Sequence, residues 1–201
     1  MLPNGMCNLL NLRHLDIWGT PLKEMPKGMG KLKQLYTLSY YIERRARILD
    51  KKHIDELLLK WSSADMVSDL QIEGDILNSL RPHTSLKELR IEGYKGVIFP
   101  NWMGQHSYHN MTYVSLKSCK NCRKLPSLGQ LPSLKSLRVE GFSELKCIGD
   151  EFYKNEDDPT LHVAPFPSLE TLQFEDKICD VGRCGTYYLA QKLFLSLRSF
   201  K

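Results

Sequence analysis

Along this chain the apolar residues return in one spacing, an apolar position followed by others three and five residues later. Leu12, Leu15 and Ile17 set it, and it recurs at Ile54, Leu57 and Leu59, at Leu86, Leu89 and Ile91, and at Met111, Val114 and Leu116. Leu134, Leu137 and Val139, then Leu169, Leu172 and Phe174, complete the clear copies, and a shorter one starts at Leu35 and Leu38. Within each copy the residues between the apolar ones are polar, as in Ser136, Arg138 and Glu140 around Leu137 and Val139. Such alternation predicts a short strand with one buried face.

The first residues of the seven copies lie 23, 19, 32, 25, 23 and 35 residues apart. Three of these steps fall within the roughly 20 to 29 residues of a leucine-rich repeat, and the two longest imply insertions in the connecting arcs. A lone strand of this length is unstable, whereas stacked parallel copies shelter one another's apolar edges. The expected fold is therefore an α/β leucine-rich repeat solenoid, a horseshoe or arc. A parallel β-sheet lines its concave face, and irregular or short helical arcs line the convex face. Residues 1–176 would hold about six to seven irregular repeats, with 177–201 as a divergent tail or terminal repeat.

After the strands the chain turns inward again. Leu22, Met25-Pro26, Phe99-Pro100 and Leu125-Pro126 place an apolar side chain on the far wall of the coil, where proline ends the hydrogen-bonded run. "HIDELLLKWSS" satisfies a helical period as well as a strand, and the repeat phase favours the strand. Ile76, Leu77 and Leu80, before Pro82, predict a helical arc on the convex side. Residues 150–167, acidic in the middle, read as an exposed loop, and the tail from Lys177 leaves the repeat phase. Neither end shows a clear polar closing face, which suggests a fragment.

Composition narrows the chemistry. Lys and Arg number 28 against 23 Asp and Glu, a formal charge of +5 with the signs interspersed, so neither nucleic acid nor a membrane is the expected partner. The start lacks a secretory pattern, and no apolar run approaches the roughly 18 residues of a membrane span. A cytoplasmic protein is expected. The phosphate-cradling and hydrolytic motifs are absent, and His106 and His109 read as a connecting turn rather than a metal pair. Cys119 and Cys122 form a C-x-x-C pair but fall in inward-facing columns, with Thr20 equivalent to the first and Val97 and Leu145 to the second. Without a second pair to complete a zinc site they read as structural thiols. Neither catalysis nor a metal is expected.

The outward strand positions carry more information. Superposing the copies stacks Asp16, Leu58, Arg90, Ser115, Arg138 and Gln173 in a central column, with Trp18, Lys60, Glu92, Lys117, Glu140 and Glu175 on one side. His14, Glu56, Glu88, Tyr113, Ser136 and Thr171 lie on the other. Trp, Tyr and Arg are the residues most often found at binding hot spots. The candidate binding residues on this concave face are His14, Asp16, Trp18, Lys60, Arg90, Glu92, Tyr113, Lys117, Arg138 and Glu140.

Taken together, "LRHLDIWGTPLKEMPKGMGKLKQLYTLSYYI", "DKKHIDELLLKWSS", "HTSLKELRIEGYKGVIFPNWMG", "LKSCKNCRKLPSLGQLPSLKSLRVEG" and "FPSLETLQFED" closely resemble the leucine-rich repeat region of plant intracellular disease resistance proteins of the coiled-coil nucleotide-binding class. That resemblance implies an immune-receptor module. Its protein partners would be a pathogen effector or a guarded host protein, together with the nucleotide-binding domain of the parent receptor, which the repeats restrain. No cofactor is implied in this chain, because ATP or ADP would bind a domain absent here. A non-immune adaptor, such as a ubiquitin-ligase substrate receptor, is the alternative for a repeat horseshoe, though no F-box-like segment is found.

Overall fold

The computed structural model describes residues 4–17, 31–42, 54–61, 70–146, 148–153 and 165–175. Seven strands form one parallel sheet in strict chain order: β1 (His14–Asp16), β2 (Thr37–Ile42), β3 (Glu56–Trp61), β4 (Glu88–Glu92), β5 (Tyr113–Lys117), β6 (Ser136–Glu140) and β7 (Thr171–Phe174). Consecutive parallel neighbours require the chain to leave each strand at one end and to enter the next, one strand further on, at the other. That is the path of a leucine-rich repeat solenoid. The apolar spacing explains the register. Leu15, Leu38, Leu57, Leu89, Val114, Leu137 and Leu172 are partners in succession across the sheet, and all but Leu172 are buried.

One backbone device repeats at every entry to a strand. The carbonyls of Arg13, Tyr36, Asp55, Lys87, Thr112 and Lys135 each accept hydrogen bonds from two successive amides of the next copy, at 2.8–3.2 Å. A second device repeats at the exits. Gly93, Ser118 and Gly141 directly follow β4, β5 and β6, and all three have positive φ, at 72°, 54° and 77°. This left-handed residue swings the chain out of the sheet and into the arc.

The shorter copy at Leu35 proves to be a full strand, with Leu35 and Leu38 buried. Within "HIDELLLKWSS" the stretch "ELLLKW" forms β3, and the helix around Ile76 is α1 (Leu70–Ser79). Its residues Ile76 and Leu77, with the following Leu80, enter the core. Among the described residues the convex side also carries 3-10 turns at Asn101–Gly104, Leu128–Gln130 and Asp150–Phe152, whose Trp102, Met103, Leu128 and Phe152 fill the space behind the sheet. Phe99 and Leu125 are buried as the far-wall reading requires, while Leu22 and Met25 lie outside the described residues.

Residues 150–167 depart from the exposed-loop expectation at both ends. Phe152 and Phe166 are buried with ring centroids 5.0 Å apart, and Tyr153 packs against both. Burying the two phenylalanine rings, with Tyr153 half-buried against them, outweighs keeping the flanks in water. Residues 154–164 and the tail from residue 176 lie outside the described residues.

The C-x-x-C pair belongs to the core. Cys119 and Cys122 are fully buried, with Cys119 Sγ donating to the Lys117 carbonyl at 3.4 Å and Cys122 Sγ to the Gly96 carbonyl at 3.1 Å. Leu145 is buried in the unit that follows, but Val97 is only half-buried. The arc that carries Val97 reaches its far-wall residue Phe99 one position sooner after Leu86 than Leu125 does after Met111, which displaces Val97 outward. Burial pushes the Cys119 thiol up to about 12 and raises Cys122 as well, so neither is a nucleophile at neutral pH. The equivalent residue, Thr20, and Cys147 lie outside the described residues.

Candidate functional site: the concave face

Parallel strands in register stack their outward side chains into columns. Across the sheet the observed columns are those that the repeat spacing predicts. Asp16, Leu58, Arg90, Ser115, Arg138 and Gln173 lie in one line, and the structure inserts Ser39 between the first two. His14, Glu56, Glu88, Tyr113, Ser136 and Thr171 form the second line, which gains Thr37. Lys60, Glu92, Lys117 and Glu140 form the third, which gains the backbone position of Tyr41. Thr37, Ser39 and Tyr41 were missed because the copy at Leu35 offered only two of its three apolar marks; its 23-residue offset from Leu12 could have found them. Trp18 lies outside the described residues.

The columns are electrostatically ordered. Lys60 pairs with Glu92 at 2.9 Å and Lys117 with Glu140 at 3.3 Å, each across one strand boundary. Arg138 reaches both Glu140, at 3.3 Å, and Glu175, at 2.6 Å. Arg90 holds Glu88 on its own strand at 2.8 Å, and its guanidinium sits 4.8 Å from the centre of the Tyr113 ring on the next strand. The hydrogen bonds that Arg90 donates to Glu88 and Arg138 donates to Glu175 raise both guanidinium pKa values, reinforcing their permanent charge. At the other end of the sheet, His14 Nδ1 lies 3.0 Å from Thr37 Oγ1, which donates to Glu56 at 3.2 Å.

These are cross-strand contacts of the kind that stabilise a sheet by modest amounts. They also set each charged head in a defined place before any partner arrives. Nine of the ten candidate residues thus share one open face, in three adjacent columns on β1, β3, β4, β5 and β6, and half-buried or exposed. Among the described residues no three His, Cys, Asp or Glu side chains gather as a metal site, and no helix is long and apolar enough to cross a membrane. On the convex side, a cleft of about 370 Å³ opens between α1 and residues 97–101, beside an exposed Ile98.

A sequence-family model described as "R13L1/DRL21 LRRs" matches residues 39–142, which carry β3 through β6 and all but the first residues of β2. The chain belongs to this leucine-rich repeat family. It is also 37% identical over 139 residues to RPP13-like protein 1 of Arabidopsis thaliana, covering 65% of this chain and 13% of that protein. To the Arabidopsis thaliana protein At3g14460 it is 33% identical over 190 residues, covering 87% of this chain and 13% of the relative. With RGA1 of Solanum bulbocastanum it shares 31% identity over 134 residues, 66% of this chain and 12% of the relative. All three are provisionally titled disease resistance proteins. The chain thus spans about an eighth of the length of these relatives.

The family fold is a non-catalytic scaffold, and the general role of such leucine-rich repeat domains in plant resistance proteins is protein recognition. The family match falls on the strands that carry most of the ordered charges. His14 and Asp16 lie outside the matched residues.

Proposed function

We propose that this chain is the recognition and regulatory portion of a plant immune receptor of the coiled-coil nucleotide-binding class, acting in the cytoplasm. Residues 1–176 form its repeat domain and 177–201 a divergent tail or terminal repeat. The concave face, through His14, Asp16, Trp18, Lys60, Arg90, Glu92, Tyr113, Lys117, Arg138 and Glu140, engages a pathogen effector or a guarded host protein. The same repeats restrain the nucleotide-binding domain of the parent receptor, and ATP or ADP is held there and not here.

The observation that carries this reading is the ordered charge of the sheet. Arg90, Tyr113, Lys117 and Arg138 are prepositioned on adjacent strands of a parallel sheet, and each is half-buried or exposed. Prepositioned arginine and aromatic groups lower the ordering cost of association. The titles of the matched relatives support the immune context.

The test is co-expression of the chain with the nucleotide-binding domain of RPP13-like protein 1 and with a panel of effectors, followed by affinity capture. Capture of at least one of them should fall in the Arg90→Glu and Arg138→Glu variants and survive Ile98→Asp on the convex side. If every captured protein is retained equally by the wild type and both arginine variants, the concave face is not the site.

A further inference from the structure

Ser115 stands between two arginines. The register sets Arg90, Ser115 and Arg138 side by side on β4, β5 and β6, so the two arginine Cα positions are roughly 10 Å apart with the smallest of the three side chains between them. The two arginines lean toward opposite ends of β5: Arg90 toward Glu88 and the Tyr113 ring, Arg138 toward Glu140 and Glu175. Each uses Nη2 for its carboxylate, and among the described residues Nε and Nη1 of both have no intramolecular partner. The Ser115 hydroxyl likewise has no hydrogen-bond partner among them. The Tyr113 phenol, on the same strand as Ser115, lies within electrostatic reach of both guanidiniums. Lys117 adds a third cation two residues further along that strand.

Around this cationic centre the charge reverses. Glu56 and Glu88 lie on one side, and Glu92, Glu140 and Glu175 on the other. A polyanion laid across the face would meet these glutamates, which disfavours nucleic acid and an anionic membrane alike. One isolated anion would find the Nε and Nη1 donors of Arg90 and Arg138, which the glutamates leave unused. We propose that Ser115, Arg90 and Arg138 form a cradle for a single anionic side chain of a protein partner, a carboxylate or a phosphorylated hydroxyl, flanked in that partner by basic residues. The fork of an arginine suits either oxyanion, the serine and tyrosine hydroxyls supply further donors, and the surrounding glutamates select the basic flanks. This deepens the concave-face reading and rests on it.

The experiment uses the full 201-residue chain, isotope-labelled, and four capped synthetic peptides followed by NMR. Their sequences are Lys-Gly-Glu-Gly-Lys, the same peptide with Gln or with phosphoserine in place of Glu, and the charge-reversed Glu-Gly-Lys-Gly-Glu. The Glu or the phosphoserine peptide should shift the Ser115 amide and the Nε–H signals of Arg90 and Arg138, and the stronger of the two identifies the source of the anion. Replacing the anion by Gln, or the protein's Arg138 by Gln, should weaken binding roughly tenfold or more. Ser115→Leu, which fills the floor, should do the same with an otherwise unchanged spectrum. Should Ser115→Leu fail to fold, the comparison of Glu with Gln peptides on the wild-type chain decides alone. Equal binding of the Gln or charge-reversed peptide on the concave strands would overturn the cradle and leave the concave-face reading standing. Shifts confined to the convex arcs would overturn both, and no shift with any peptide would overturn the cradle.

Discussion

A left-handed residue ends β4, β5 and β6, and the three copies meet that demand differently. Gly93 and Gly141 adopt it without a side-chain penalty, while Ser118 holds φ at 54° with its Cβ in place. At Gly141 an added Cβ would approach Ser118 Cα to 2.8 Å as well. Gly141→Ala should therefore destabilise the chain by more than about 1 kcal/mol, whereas Ser118→Gly should be neutral or stabilising by about 0.5–1 kcal/mol. Urea titrations of the two variants beside the wild type check both signs. The thiols make a second pair of predictions. With its thiol raised to about 12, Cys119 is thiolate in only about one molecule in 10,000 at pH 8, against roughly a quarter for a free cysteine. Iodoacetamide followed by peptide mass spectrometry should leave Cys119 and Cys122 unmodified in the folded chain and label both in denaturant. The sign of the pH effect follows from the same burial. Both thiols are protonated when folded and ionise first in the unfolded chain, so their stabilising effect is intact below about pH 8.5 and declines as pH rises toward 12, by about 1.4 kcal/mol per unit for each. Melting curves from pH 8 to 10 should show this decline, and Cys119→Ser/Cys122→Ser should flatten it.

Helix α1 is tied to β3 by a buried polar contact. Trp61, the last residue of β3, donates its indole N–H to the Glu73 carboxylate at 2.8 Å, and Glu73 is only 6% exposed. The Trp61 ring also stands edge-on to Tyr94 at 5.1 Å, so one side chain joins the helix, the sheet and the arc after β4. Trp61→Phe keeps the aromatic packing and removes the donor, which should cost about 1–3 kcal/mol because a buried carboxylate loses its hydrogen bond. Adding Glu73→Leu should recover most of that loss, since replacing both partners removes the unsatisfied group. A double-mutant cycle by chemical denaturation measures the coupling, and additive single effects would show that the contact contributes nothing.

Through the assembled solenoid, stability passes from each repeat to its neighbours. Leu137 on β6 is fully buried between Val114 and Leu172 in the register, and Leu137→Ala should cost about 2–5 kcal/mol. Because each copy touches chiefly the copies beside it, amide hydrogen exchange should accelerate first in β5, β6 and β7, and last in β1 and β2. A uniform acceleration across all seven strands would show a single cooperative unit instead. The same coupling bears on recognition. Ser115 and the two arginines that flank it come from three different repeats, so their spacing is held only while those repeats remain stacked.

Much of this was legible in the letters. Strand existence, order and face followed from apolar residues at fixed offsets, because a parallel stack is a one-dimensional problem in which the repeat spacing is also the register. The same spacing located Arg90, Tyr113, Lys117 and Arg138 on the open face. Local letters could not show where the spacing was interrupted or what the side chains reached. Phe152 and Phe166 are buried at the ends of an acidic insertion, and Val97 is displaced by an arc one residue shorter. Glu73 meets Trp61 across 12 residues, and Arg138 meets Glu175 across 37. Such contacts depend on how far each arc travels before the chain returns to the sheet, and that distance is set by packing behind the sheet rather than by the pattern along it.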